Sequence, residues 1–369
     1  MLSPNPLSLL CALLLCLPLA IFFTTTTNTK HATTTNPTPI IFNRPMPNLK
    51  NKNISIPENP NNKSQPPLED DDDELLFQVA THVKSKPIRP NKIAFMFLTT
   101  MPLPFAPLWE FYFNQTSNSL FNVYVHADPT LPYDKPFSGI FSNRIIVSKP
   151  TMRLSPTLAA AARRLLAHAL IHDPSNSMFV LLSPSCIPLH SFNFTYHALL
   201  CPGKSFIEIL AHEVGSYDRW AARGPHAMLP AVKLEEFRIG SQFWALTRQH
   251  AKLVASDRLL WPKFNVPCVR LDSCYPEENY FPTLLNMWDS EGCVHATLTH
   301  VNWTGRVDGH PRTYEPWEVG PNLIRRMRLD RPRYGNGNGR SDPFLFARKF
   351  APDALEPLMR IANDVIFCD

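Results

Sequence analysis

No Lys, Arg, Asp or Glu occurs before Lys30, and the chain contains neither a Cys-x-x-Cys pair nor a His-Glu-x-x-His. The missing ligand spacings exclude the common zinc sites. The uncharged N-terminus weakens the signal that would orient a membrane segment. A formal net charge of +5 over 369 residues is modest and gives a nucleic-acid role no support.

What does fill the N-terminus is apolar. Leu7 to Phe23 is a leucine-rich run of seventeen residues, at the short end for crossing a bilayer. We read 1–6 as a short cytoplasmic tail and 7–23 as a signal-anchor transmembrane helix. A cleaved signal peptide is the rival reading, but Pro18 stands where a cut after Ala20 wants a small residue. Either way the rest of the chain enters the secretory pathway. Cysteine usage agrees: Cys186, Cys201, Cys268, Cys274, Cys293 and Cys368 lie outside the apolar run and read as disulfide partners in an oxidising lumen. Glycosylation sequons occur at Asn53, Asn62, Asn114, Asn193 and Asn302.

Residues 24–87 are rich in Thr, Asn and Pro, a composition too poor in apolar surface to order itself. We read them as a disordered lumenal stem. The run Asp70-Asp71-Asp72-Asp73 lies inside it and reads as a solvated acidic linker rather than a metal site.

From 88 to 369 the pattern is that of a folded domain. Lys92 to Leu98, Asn122 to His126 and Met178 to Leu182 are apolar runs with strand character; Arg144 to Val147 and Ser205 to Leu210 are weaker ones. Helices are expected over 103–113, from Ser155-Pro156 to Ile171, and over 352–362. Alternating strands and helices predict an α/β domain with a mostly parallel central sheet. Ligands of such sheets bind beyond the carboxyl ends of strands, which puts Thr99, His126, Asp128, Ser183 and Ser185 at the candidate site.

The most informative stretch is Cys274-Tyr275-Pro276-Glu277-Glu278-Asn279-Tyr280-Phe281-Pro282-Thr283-Leu284-Leu285. Its proline opens a helix over 277–288, and its apolar residues fall on one face. The two glutamates then stand in the first turn, where the helix dipole favours the ionised form that a general base needs. First-turn acids are also common as plain solvated residues. A basic cluster of Arg325, Arg326, Arg328, Arg331, Arg333, Arg340, Arg348 and Lys349 follows, opposed only by Asp330 and Asp342. It is either a solvated face or a diphosphate clamp.

Several of these pieces occur together in a known family. Phe97-Leu98-Thr99, Tyr124-Val125-His126-Ala127-Asp128, Val180 to Leu189, Gly240-Ser241-Gln242-Phe243, Cys274 to Thr283, Asn302-Trp303, His310-Pro311 and Phe344 to Phe350 resemble the plant branch of the core-2/I-branching N-acetylglucosaminyltransferases, distant relations of protein xylosyltransferases. The resemblance implies a GT-A-like fold, type II topology in the Golgi, and inverting transfer of a sugar, N-acetylglucosamine first, from a UDP-sugar to a glycan or glycoprotein hydroxyl. It implies no divalent metal, and the one Asp-x-Asp here is in the acidic run. Carried over residue by residue, Glu278 is the catalytic base. His126, Asp128, Arg348 and Lys349 face the donor, with Arg326 the chosen candidate among Arg325, Arg326 and Arg328 for a second arginine. Gly240, Ser241 and Trp303 lie beside the acceptor. Pro184, Glu277 and Asn279 depart from commoner family choices and bear on acceptor preference. The alternatives are a non-catalytic lumenal sugar-binding protein of the same fold and a xylosyl-type transferase.

Overall fold

Apolar residues dominate the three longest strands: β1 (Lys92–Thr99), β2 (Phe121–Ala127) and β3 (Asn176–Leu182). In the computed structural model, which describes residues 71–133, 138–306, 309–335 and 340–369, they pair in parallel around β1. Shorter strands follow: β4 (Ile187–Pro188), β5 (Ser205–Phe206), β6 (Ala245–Thr247), β7 (Cys293–Val294), β8 (Thr299–His300) and β9 (Phe346–Ala347). The main sheet has the order β2-β1-β3-β6-β5-β7, and β4-β9-β8 form a second, three-stranded sheet. β6 runs antiparallel to both its neighbours, whereas the other three pairings of the main sheet are parallel.

β1 is apolar along its length because both faces of the sheet are covered. Ile93, Phe95 and Phe97 enter one core, and Ala94, Met96 and Leu98 enter the other. Around Phe95 the first core holds the rings of Trp109, Tyr112, Phe113 and Phe192. Each such buried side chain contributes roughly 1.5–3 kcal/mol relative to exposure. The second core lies under the helices Thr157–His172, Arg248–Ser256 and Pro276–Asp289.

Two expectations need correction. Residues 71–82 were assigned to the stem but form a helix, Asp71–His82. It packs on the Thr157–His172 and Arg248–Ser256 helices, burying Phe77 and Ala80. Asp73 pairs with Arg164 and with Lys149, so the end of the acidic run belongs to the folded body. The physical reason is the Leu76, Phe77, Ala80 and Val83 spacing, which makes one apolar helix face. Arg144 to Val147 is not a strand but makes a single parallel bridge, Val125 to Ile145. The stretch from His295 to Trp303 supplies only β8. The tail 1–6, the anchor 7–23, the stem residues up to 70, and the sequons Asn53 and Asn62 lie outside the described residues. Among the described residues no helix is long and apolar enough to cross a membrane.

Of the six expected disulfide cysteines only Cys268 and Cys274 are joined. Cys186 and Cys293 are buried thiols in the core, and Cys201 and Cys368 are exposed and unpaired.

Candidate active site

Pro276 opens the Pro276–Asp289 helix at its first position, so Glu277 and Glu278 follow in the first turn, as the residue pattern predicts. Tyr280, Phe281, Leu284 and Leu285 are fully buried behind them. The Tyr280 hydroxyl donates to Asp257 Oδ2 at 2.9 Å, and Asp257 also accepts from the backbone amides of Leu259, Leu260 and Trp261. The disulfide Cys268–Cys274 closes the loop just ahead of the helix. The glutamates therefore stand on a support fixed at both ends.

They open on a cavity of about 510 Å³. Leu98, Thr100, Ser183 and Pro184, at or just past the carboxyl ends of β1 and β3, line it. So do Gly240, Ser241, Glu277, Glu278 and Trp303, and Arg348, Lys349 and His310. The glutamates and the C-terminal cations thus share one space, at the strand ends where ligands of α/β sheets bind.

Within it the charges are arranged in pairs. Glu278 Oε2 accepts from Arg219 Nη1 at 2.7 Å. Arg219 in turn lies 4.4 Å over the Tyr275 ring. Burial, and after it the Glu278 carboxylate, push the neighbouring Glu277 up to about 7, against the pull of Arg153 and Arg219. Glu208, from the segment after β5, is likewise pushed up to about 7, first by burial and then by Glu278 and Glu213, while Arg333 and the Ser241 amide pull it down. Arg348 sits 4.4 Å over the Phe243 ring, and its buried Nε has no hydrogen-bond partner. Burial pulls its guanidinium below the usual range, with Cys186 and Glu278 opposing; an arginine stays charged even so. Lys349 Nζ lies 3.5 Å from His310 Nδ1.

Gly240 is where the segment leading to β6 touches the glutamate helix. Its amide donates to the Glu278 carbonyl at 2.9 Å. A Cβ there would fall 2.0 Å from the Glu208 carbonyl oxygen, so the close approach requires glycine.

Five expected site residues lie apart from this cavity. Asp128 is buried and fully engaged in stapling its loop. Its Oδ1 accepts from the Thr130 amide at 2.9 Å and hydroxyl at 2.6 Å, and its Oδ2 from the Thr151 amide at 2.8 Å and hydroxyl at 3.0 Å. Against the upward push of burial, those bonds lower it to about 2. Thr151 itself does line the cavity. His126 is buried beneath the strand ends and borders a different cavity with Lys149 and Arg163. Burial, then Arg164, lowers it to about 4, so it is neutral near pH 7. Arg326 borders a third cavity, beyond Trp303. Thr99 and Ser185 do not line the central cavity, though Ser183 does. Of the sequons, Asn114 and Asn193 are exposed, while the Asn302 amide donates to the Tyr314 hydroxyl at 3.2 Å.

Sequence reasoning missed Arg219, Glu208 and Arg153. Glu208 stands two residues past β5, a strand end that the sheet rule could have flagged. Arg153 sits in an irregular stretch, and Arg219 in the five-residue helix Ser216–Trp220, too short to give a periodic signal.

Comparison with known proteins agrees with this architecture. The family described as Core-2/I-Branching enzyme matches residues 93–328. Glycosyltransferase BC10 of Oryza sativa subsp. japonica is 30% identical over 311 residues, which cover 73% of this chain and 76% of that protein. With that family match spanning the strand ends and the glutamate helix, the chain belongs to the core-2/I-branching enzyme family and is a glycosyltransferase.

Proposed function

We propose that the protein transfers a sugar, N-acetylglucosamine first among candidates, from a UDP-sugar to a hydroxyl of a glycan or glycoprotein, with inversion and without a divalent metal. The observation that carries the reading is the shared cavity, which Glu278, Arg348 and Lys349 line together.

An acceptor hydroxyl titrates far above neutral pH, so it must lose its proton as it attacks. Glu278, held in place by Arg219, takes that proton in the transition state, an effect of about 10² to 10⁴ in rate. Direct displacement at the anomeric carbon then needs no enzyme nucleophile. The negative charge that grows on the departing diphosphate falls to Lys349 and Arg348, cations that line the same cavity. Trp303, with its ring about half exposed, offers an apolar face to an acceptor sugar, and Gly240 and Ser241 border the same side. Asp128 contributes by holding the Thr151 segment against the donor wall.

Work in the Golgi lumen, on a type II anchor, fits the Cys268–Cys274 disulfide and the exposed sequons. A screen of UDP-N-acetylglucosamine, UDP-xylose and other UDP-sugars with purified protein tests the donor, and the anomeric proton of the product reports inversion. Glu278→Gln is expected to keep UDP affinity and lose transfer by at least a hundredfold. Turnover like that of the wild type in this variant, or activity that dies with a chelator and returns with manganese, would overturn the reading.

A further inference from the structure

On the far side of Trp303 lies a second cavity, of about 650 Å³. Trp303 and Val301 line both it and the central one. Cavities of about 300 to 1,000 Å³ are the usual size for small-ligand sites, so this space has room for a sugar residue. We infer that it is a second glycan subsite that takes an acidic sugar of the acceptor, one bearing a carboxylate or a sulfate. The inference deepens the acceptor half of the function proposed above and rests on it.

Three observations support the assignment. The first is charge. Arg326 borders the cavity, and its exposed guanidinium makes no hydrogen bond or ion pair among the described residues. A free planar fork matches a carboxylate or sulfate with two parallel hydrogen bonds. Arg312 borders the same space and is already paired with Glu318; the Asp330 carboxylate is hydrogen-bonded to His300 Nε2 at 3.0 Å and not to Arg326. Arg326 is therefore the cation of this lining with no anion bonded to it among the described residues.

The second is the polar lining. Asn302 and Tyr314 are joined at 3.2 Å, and the Asp330 side chain is half exposed. These groups can give and accept hydrogen bonds to sugar hydroxyls. His300 is buried, its Nδ1 without a partner, and burial holds its ring below the ordinary histidine range against the pull of Asp330.

The third is continuity. Trp303 presents one half-exposed ring between the two cavities. An oligosaccharide seated by its reactive sugar near Glu278 can pass over that ring, with a neighbouring residue entering the second space. No equivalent bridge leads from the central cavity to the one beside His126, whose lining shares no residue with it.

The test is binding, measured by calorimetry on the whole protein, with three probes of equal length: a neutral galacto-oligosaccharide, an oligogalacturonide and a sulfated galactan fragment. Wild-type protein is expected to bind at least one acidic probe about tenfold more tightly than the neutral one. Arg326→Gln should erase that preference, and Arg326→Lys should recover part of it. Which acidic probe wins separates a carboxylate from a sulfate ligand. Equal binding of all three probes by wild-type protein overturns the inference, as does an acidic preference that survives in Arg326→Gln. If Arg326→Gln loses UDP affinity instead, the arginine serves the donor and the inference also falls. Binding is read without turnover, so acid-selective binding that depends on Arg326 in a protein inert toward every UDP-sugar would sink the transferase reading and leave the subsite standing.

Discussion

Arg219 Nη1 lies 2.7 Å from Glu278 Oε2, with the arginine fork laid over the Tyr275 ring. One side chain thus fixes the direction of the carboxylate assigned as base. Arg219→Leu is expected to lower kcat/KM about a hundredfold, as losing a charged hydrogen-bonding group at a reacting centre does. Arg219→Lys should recover only part, because an ammonium keeps the charge but neither the fork nor the stack. Steady-state kinetics with the identified donor decide; full activity in Arg219→Leu would show that Glu278 needs no partner.

Glu277 and Glu208, both raised to about 7, make stability depend on pH. The folded state holds their protons more firmly than the unfolded chain does. Each contribution is present below about 4.5 and is lost as pH rises through 7. For Glu277 the full effect is about 3 kcal/mol as an upper limit. His126, lowered to about 4, acts in the opposite sense between about 4 and 6.5, so the total trend is a sum. The difference between wild type and Glu277→Gln isolates the carboxyl. Calorimetric melting between pH 5 and 7.5 should show the variant gaining on the wild type as pH rises; parallel curves would refute it.

Asp128 accepts four hydrogen bonds from two threonines, one ahead of and one behind a long loop. Asp128→Ala should cost about 3 kcal/mol, since charged acceptors of buried donors are worth more than neutral ones. Donor affinity should fall with it, because Thr151 lines the central cavity. Its depressed titration, to about 2, means that this contribution is present above about 3.8 and fades only as pH drops toward 2. A variant with an unchanged melting temperature and weakened UDP binding would make Asp128 a direct donor contact instead.

The bridge Cys268–Cys274 spans a short loop that leads straight into Tyr275 and the glutamate turn. Replacing both cysteines by serine should cost about 2 kcal/mol by the chain-entropy account. The larger effect is expected on kcat, through looser placement of Glu278. Comparing kcat with melting temperature for the double variant separates the two; equal kcat would show that the helix alone sets the geometry.

The long strands were legible because β1, β2 and β3 are buried on both faces and read as unbroken apolar runs. The glutamate turn was legible because proline, acid and apolar residues fall in a helical order that packing then enforces. Arg326 shows the opposite case. A row of arginines in sequence announces charge but not direction, and the Pro321–Leu329 helix turns Arg326 toward Trp303's far side while the chain brings Arg348 into the centre. Arg219 pairs across 59 positions, a contact that no local pattern records. Cysteine count misled for a similar reason: parity says nothing of distance, and Cys186 and Cys293 serve as small core residues.

The Asp71–His82 helix also matters for anyone preparing the enzyme. Arg163 is held between the rings of Phe77 and Trp261, 4.3 Å from each. A truncation placed at residue 87, where the proline-rich composition ends, would strip away Phe77 and uncover a greasy groove with a cation at its floor. Such a protein would be prone to self-association, whereas one cut ahead of the acidic run would keep its own plug.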